Sequence, residues 1–186
     1  MLEGAQLPEI SVRENLSVSP GGYSILEMDR ADAEKVRRGF VQLLERLSKE
    51  FDVIFLDLPS YPSELLLCSA CVADRILIPA KADCASLMAV RETASLIGRP
   101  GDTDILLLQH DPRERHTVMI ENDFRTEFGT AVMSSTVRRN VALCETMAAH
   151  CSIFEYRPES PGAKDYEAVA GEIGRASCRE RVCLSV

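Results

Sequence analysis

Asp57 stands where a buried strand would deliver a carboxylate to a metal–phosphate site. Four apolar residues, Val53 to Leu56, run directly into it, and Pro59 follows two positions later. Continuous apolar runs are typical of parallel strands buried on both faces, and open α/β sheets bind ligands beyond the carboxyl ends of such strands. The pattern predicts that Asp57 faces magnesium and phosphate. The alternative is an aspartate that only caps a helix or a turn.

Two later strand ends also carry polar residues. Lys81 lies just past the apolar run that ends at Pro79, and His110 and Asp111 follow the next such run. Parallel strands end at the same edge of a sheet, so we expect these residues to line one rim together with Asp57.

The elements that must position these residues alternate between strand and helix. Short apolar runs predict strands, whereas apolar residues at helical spacing, with Pro at the start and Gly at the end, predict helices. This order favours right-handed crossovers and an α/β fold, a mainly parallel sheet with helices on both faces. Predicted strands cover 52–57, 75–79, 104–109 and 130–136, with short extended pieces within 14–20 and 152–156; predicted helices lie within 29–50, 62–73, 84–98, 116–128 and 140–149 and from 161 onward.

The composition is that of a globular protein. With 186 residues, 46% apolar and 27% charged, the chain is long enough for one domain with a core. It has no apolar run of about 18 residues and no charged-then-apolar opening, so we expect a cytoplasmic protein without a membrane span. The net charge of −8 argues against wholesale coating of nucleic acid, although a local basic patch could still bind it.

The seven cysteines form no recognisable framework. Their number is odd and their spacing irregular, so we interpret them as reduced thiols. Cys68-x-x-Cys71 could be half of a zinc site, but no second pair or nearby histidine completes it, which favours two small apolar residues on one helix. We interpret His110, His116 and His150 as structural, because they lack metal spacing and a paired nucleophile.

The end of the chain differs in character from the rest. Residues 174–186 contain two cysteines, three arginines and no clear amphipathic period. The stretch IGRASCRERV also resembles the in-frame translation of a common DNA-sequencing adapter. We therefore expect one domain at 1–173 and a non-native tail at 174–186, with a short disordered terminus as the alternative.

Four stretches, taken in order over residues 15–173, resemble one family. FDVIFLDLPSYPSELLLCSACVADRILIP resembles the family's phosphate-site strand with the Pro-containing loop, helix and strand that follow it. LLLQHDPRERHTVMIENDFRTEFG resembles the next strand, its Asp-x-Arg turn and the helix after it. A base-binding loop, usually Ile-Pro-Arg-Asn, is matched by VRRNVALCETMAAHCSIFEY, and a closing helix by RPESPGAKDYEAVAGEI. The chain thus resembles the ParA/MinD superfamily of P-loop ATPases, most of all the ParA (Soj-type) partition proteins.

The resemblance implies a role for each candidate residue. Asp57 would be the catalytic carboxylate that holds Mg through water. Arg139 and Asn140 would bind the ATP base, and Arg113 and Arg115 would contact DNA without sequence preference. The alternatives are a solvated loop for Arg139–Asn140 and a solvated face for Arg113.

Two residues differ from the family pattern in the segments to which base binding and DNA binding are assigned. Arg138 replaces the usual proline of the base-binding loop, which removes a source of rigidity. Ala142 stands where a second DNA-associated arginine falls in the family, which weakens the DNA inference.

For the intact protein, the resemblance implies ATP and Mg as cofactors and a homodimer. It also implies non-specific DNA and a ParB-like centromere-binding protein as partners, no membrane, and a nucleoid-associated cytoplasmic location. The reaction would be phosphoryl transfer from ATP to water.

The phosphate loop itself is missing from these residues. Neither Lys-Gly-Gly-x-x-Lys-Thr nor the general G-x-x-x-x-G-K-[S/T] occurs, and Gly21-Gly22 lacks both the lysine and the helix start. The loop's backbone N–H groups and lysine are what hold the phosphates. We therefore expect a partial ParA-like domain, incomplete at its N-terminus, that binds no ATP alone and exposes a strand edge and apolar side chains.

Two other interpretations stay open at this point. The chain could be a non-enzymatic, degenerate paralogue that acts as a protein- or DNA-binding module. It could also be a related ATPase that serves division-site placement or cellulose synthesis.

Overall fold

The computed structural model describes residues 10–20, 32–58, 61–176 and 182–185. Strands and helices alternate, and two 3₁₀ turns, Pro100–Asp102 and Gly129–Ala131, precede two of the strands. In chain order the elements are β1 (Ile10–Arg13), β2 (Leu16–Val18), α1 (Ala33–Leu47), β3 (Ile54–Asp57), α2 (Glu64–Val72), β4 (Arg75–Lys81), α3 (Cys84–Ile97), β5 (Thr103–His110), α4 (Arg115–Phe128), β6 (Val132–Arg138), α5 (Val141–Ala149), α6 (Ile153–Tyr156), α7 (Pro161–Ala176) and β7 (Val182–Ser185).

Five strands form one parallel sheet in the order β3-β7-β4-β5-β6, and β1 and β2 form a separate antiparallel hairpin. Helices α1 to α4 cover one face of the sheet through a core that includes Ile76, Leu107 and Phe124. Helices α5 and α7 cover the other face over β5 and β6, around Leu106 and Val169. The predicted α/β fold, with helices on both faces of a parallel sheet, is confirmed.

Side-chain caps set the helix boundaries next to the sheet. Ser63 accepts a hydrogen bond from the Leu66 N–H at 3.1 Å and so caps α2, and Asp83 accepts one from the Ser86 N–H at 2.8 Å and caps α3. Gly98 ends α3 at φ 66°, as its type predicts, since glycine adopts this left-handed conformation without steric cost.

The predicted extended piece at 152–156 is wrong. Ile153–Tyr156 forms the short helix α6, and Ser152 and Glu155 form a reciprocal capping box at its start. Glu155 also accepts from Arg13 of the hairpin at 2.6 Å, so α6 is the point where β1 attaches to the domain. The local capping chemistry outweighs the strand preference of Ile, Phe and Tyr.

Strand β7 lies between β3 and β4. Ser185 is level with Asp57 on one side and with Leu77 on the other. This strand lies within residues 174–186, which were expected to lie outside the domain, and the non-native origin of that tail stays a prediction.

The side chains on the two faces of β3, the strand next to β7, differ in how far they are buried. Ile54 is buried, whereas Phe55, on the opposite face, is 64% exposed. Phe55 is therefore a large apolar side chain on the face of β3 that the described residues leave open.

Candidate functional site

The carboxyl ends of the parallel strands form a single rim. Strands β3, β4, β5 and β6 end at Asp57, Lys81, His110 and Arg138, respectively. Lys81 is level with Leu108, and β5 and β6 end together, with His110 level with Arg138. The residues that the sequence placed at strand ends thus share one edge of the sheet.

Strand β3 ends earlier along the strand direction than β4, so Asp57 is set back from the ends of the other strands. Across β7 it is level with Leu77, so β4 continues for four more residues, roughly 13 Å, to Lys81. Within the described ranges, no hydrogen bond or ion pair engages the exposed Asp57 carboxylate, and Ser63 rather than Asp57 caps the next helix. A free carboxylate of this kind is a ligand that Mg²⁺ accepts.

The structure does not bring Asp57 and the predicted base-binding residues into mutual contact. Three strands separate β3 from β6, which is roughly 19 Å across the sheet, and Arg138 also lies six β5 residues, roughly 20 Å, farther along the strand direction than Asp57. A single ligand that touches both Asp57 and Asn140 must be extended and must cross the ends of β7, β4 and β5.

Asn140 has a structural task at the start of α5. Its Oδ1 accepts from the Ala142 N–H at 2.8 Å, which makes Asn140 the N-cap, while its side-chain NH₂ group makes no hydrogen bond to the described residues. The backbone N–H of the exposed Arg139 donates to the His110 carbonyl at 3.3 Å. The loop that carries both residues is therefore attached to the end of β5.

The predicted DNA-contacting arginines differ in their surroundings. The Arg113 side chain is 87% exposed but forms a two-pronged pair with Asp111, at 2.9 Å from Nε and 2.8 Å from Nη2. Hydrogen bonds from the Arg113 side chain and backbone lower the pKa of Asp111 to about 2. Arg115, at the first position of α4, is exposed and makes no ion pair within the described part of the chain.

A buried network fixes α4 against the end of β5. His110 is 7% exposed, and its Nε2 lies 2.7 Å from an oxygen of Glu121. Glu121 also pairs with Arg125, which reaches the Met133 carbonyl at 3.3 Å. Burial opposes ionisation of Glu121, but hydrogen bonds from Arg125 and His110 hold its pKa below the usual value. His110 and Arg125 therefore hold the fold together, in keeping with the structural interpretation of His110.

The loop after β6 is also held from the side of α7. Arg138, in the place of the family's proline, pairs with Asp165 at 2.7 Å. Glu172 accepts from the backbone N–H groups of Ser134 and Ser135, each at 2.8 Å. Burial works against the Glu172 carboxylate, but the hydrogen bonds from Ser135 and Ser134 lower its pKa to about 2. Neither Asp165 nor Glu172 was among the predicted site residues. Their spacing of seven residues in α7 indicates only that they share one face of the helix.

Of the two cysteines in Cys68-x-x-Cys71, only Cys68 is buried as the apolar interpretation predicts. Cys68 packs in the core under α2, and burial first and Glu64 second raise the pKa of its thiol. Cys71 is exposed. Within the described ranges, no three His, Cys, Asp or Glu residues cluster as a metal site.

With this geometry in hand, comparisons place the chain among known proteins. A family model described as cellulose biosynthesis protein BcsQ, a ParA/MinD-like family, matches residues 10–172. The chain belongs to the ParA/MinD-like ATPase family. Together with the two Soj relatives described next, this match confirms the resemblance to ParA/Soj-type partition ATPases and a partition-related ATPase family for the chain.

Individual ParA/MinD-like relatives agree with this assignment. The chromosome-partitioning ATPase Soj of Thermus thermophilus is 31% identical over 140 residues, which is 70% of this chain and 56% of that protein. Soj of Treponema pallidum is 24% identical over 170 residues, 84% of this chain and 64% of that protein. An uncharacterized Pseudomonas putida protein is 24% identical over 180 residues. The chain therefore spans somewhat over half the length of the two Soj proteins.

Among the described helices, none combines the length and the apolar character that crossing a bilayer requires.

Proposed function

We propose that this chain is part of a ParA/Soj-type ATPase that partitions plasmid or chromosomal DNA. The observation that carries the proposal is the single rim at the ends of parallel strands, on which the Arg139–Asn140 loop lies together with an exposed Asp57 that no described residue pairs with. This is the edge where open α/β sheets bind nucleotides.

The residues fit magnesium better than they fit the phosphates. Asp57 offers an unpaired oxygen ligand that would hold Mg through water, and Asn140 keeps two N–H donors for an adenine edge. The nest of backbone N–H groups and the lysine that hold phosphates are not found in these residues. When bound to the complete protein, Mg and ATP supply the phosphoryl-transfer chemistry, and Asp57 positions the metal and its water.

The proposed partners follow from the family. In the complete protein, nucleotide binding would accompany dimerisation, and the dimer would bind DNA without sequence preference. A ParB-like centromere-binding protein would stimulate hydrolysis. The protein would work in the cytoplasm, on the nucleoid.

The test is ATP hydrolysis by the longest open reading frame that contains these residues. Asp57→Asn is expected to remove most of the hydrolysis but to leave nucleotide binding, because it removes the charge that positions Mg. Asp52→Asn, at the other end of the same strand region, makes the same chemical change at an exposed site and should leave both unchanged. Undiminished hydrolysis by the Asp57 variant would overturn the assignment.

Two further candidates each have one observation in their favour. The lack of a phosphate loop in the sequence favours a non-enzymatic module, which would fold cooperatively and ignore ATP. The name of the matching family model favours an ATPase that serves cellulose synthesis. Deleting the gene distinguishes partition from cellulose synthesis: loss of a plasmid or chromosome would indicate a partition ATPase, and loss of cellulose would indicate an ATPase that serves cellulose synthesis.

A further inference from the structure

The outward face of helix α5 is apolar although it is exposed. Val141 is 73% exposed and Met147 is 80% exposed, and Cys144 and Ala148 are exposed as well. With 3.6 residues per turn, these four side chains form a stripe about 120° wide whose middle is Cys144.

The polar side chains of α5 lie away from this stripe. Glu145 and Thr146 are both partly buried, and the Thr146 hydroxyl donates to the Leu143 carbonyl at 2.8 Å. Ala142 is buried, and Leu143 packs against the core. A helix that faces water has its polar residues outside, so the pattern of α5 is reversed, and exposed apolar patches of this kind mark interaction sites.

The arrangement of the stripe suits a second copy of the same chain. Val141 lies on one side of Cys144, and Met147 and Ala148 lie on the other. In an antiparallel pair with a two-fold axis near Cys144, Val141 of one copy would lie against Ala148 of the other, and such self-complementarity is what a two-fold interface requires. Each helix would also place its partly positive N-terminus beside the partly negative C-terminus of the other.

The absence of charge from the stripe favours the same occupant. The chain has a net charge of −8, but none of the four stripe residues is charged, so a second copy brings no like charge to this surface. A different partner would find no charge there by which to be recognised, although complementary charge is what gives an interface much of its specificity.

Helix α6 extends the apolar surface beside α5. Ile153 of α6 and Ala142 of α5 share one buried cluster, while Phe154 is 50% exposed and Tyr156 is 37% exposed. A fully buried aromatic side chain covers about 150–250 Å², so these two can add on the order of 50–100 Å² each. Because α5 is only about 14 Å long, the total falls short of the roughly 800 Å² per partner of a standard interface, which indicates a weak, reversible dimer.

We propose that α5, with α6 beside it, is a self-association surface through which two copies of this chain pair with their α5 helices antiparallel. This interface goes beyond the nucleotide-dependent dimer of the proposed function, because it requires no ATP. It lies on the outward face of α5 and not on the rim at the strand ends.

The test is sedimentation equilibrium of the full chain in reducing buffer without nucleotide. We expect a monomer–dimer equilibrium with a Kd on the order of 10 μM, at the weak end of specific interfaces. Met147→Glu should raise this Kd by about a hundredfold, because the change occurs twice in each dimer and about tenfold per site is typical of a central contact. Met88→Glu makes the same change at a methionine of α3 that is 60% exposed, and it should leave the Kd unchanged.

Oxidation by copper phenanthroline and oxygen tests where the two-fold axis lies. An axis near Cys144 brings the two Cys144 thiols within disulfide range, so peptide mapping should identify Cys144 in the cross-linked dimer. Cys144→Ser should remove that dimer. Cys71→Ser, at an exposed cysteine of α2, should not.

Three results would overturn the proposal. The first is a chain that stays monomeric up to about 100 μM, ten times the expected Kd. The second is a dimer that Met147→Glu weakens no more than Met88→Glu does, since its contacts would then lie elsewhere. The third is a dimer that cross-links through Cys71 rather than Cys144, which would rule out the antiparallel pairing of α5. None of these results touches the proposed ATPase, because no nucleotide is present.

Discussion

Helix α2 contains two serines for which the same substitution should have opposite effects. Ser63 caps the helix, and its Oγ accepts from the Leu66 N–H at 3.1 Å. Ser69, inside this helix, is 0% exposed, and among the described residues its Oγ has no hydrogen-bond partner. Ser→Ala therefore removes a hydroxyl that accepts a hydrogen bond at position 63, and a hydroxyl without a partner among the described residues at position 69.

The expected magnitudes follow from those two surroundings. Loss of the Ser63 cap should lower the free energy of unfolding by about 1 kcal/mol. Removal of the Ser69 hydroxyl relieves a desolvation penalty of about 1–3 kcal/mol, and alanine adds a few tenths of a kcal/mol of helix propensity. A small void offsets part of this gain. We therefore expect Ser69→Ala to stabilise the chain by about 1 kcal/mol, a difference of about 2 kcal/mol between the variants.

Urea unfolding followed by circular dichroism measures both changes, provided that the m-value is the same for all three proteins. In thermal unfolding, each change corresponds to a shift in Tm of about 2–4 °C, downward for Ser63→Ala and upward for Ser69→Ala. A destabilised Ser69→Ala protein would refute the reasoning, because it would mean that the hydroxyl is bonded in the folded state.

Two other predictions concern the contacts of α7. A Cβ at Gly162 would lie 2.8 Å from Leu143 Cγ, so Gly162→Ala should cost about 1 kcal/mol of stability, despite its better helix propensity, and Leu143→Ala in the same chain should cost less than it does alone. Glu172→Gln should lower stability at neutral pH by up to about 2 kcal/mol after allowance for solvent screening. Because the pKa of Glu172 falls from 4.5 to about 2 in the folded state, this contribution exists above pH 4.5 and disappears as the pH falls toward 2. Urea midpoints at several pH values should thus converge for the two proteins in acid, and a constant difference would contradict the assignment.

Much of the fold could be predicted because its signals are local. The apolar run into Asp57 and the glycine that ends α3 each fix an element without help from distant residues. At 152–156 a local signal was present but overlooked: Ser152 and Glu155 have the spacing of a capping box, and this outweighs the β preference of the residues between them. Gln109, at φ 53°, gave no such signal, since glutamine has no special preference for that conformation.

The candidate site was predictable only in outline. Strand ends identified the rim, but register decides that Asp57 is level with Leu77 rather than with Lys81, and register depends on pairing across the sheet. Likewise, the sequence shows which residues are charged but not which charges are used. Arg138 and Arg125 look like exposed cations in the sequence, yet Asp165 and Glu121 engage them in the structure.

This difference between having a charge and having a free charge bears on how an acidic chain could bind a polyanion. A net charge of −8 repels nucleic acid at long range, but that repulsion is screened within about 10 Å at ordinary ionic strength. At contact, binding depends on cations that can reach a phosphate without abandoning a carboxylate. Arg115 is exposed and makes no ion pair among the described residues, so it meets that condition, whereas Arg113, which is bound to Asp111, does not. Of the two arginines expected to contact DNA, Arg115→Gln should therefore weaken binding to a duplex of random sequence more than Arg113→Gln does, and the reverse order would show that an ion pair to a neighbouring carboxylate does not decide which cation binds.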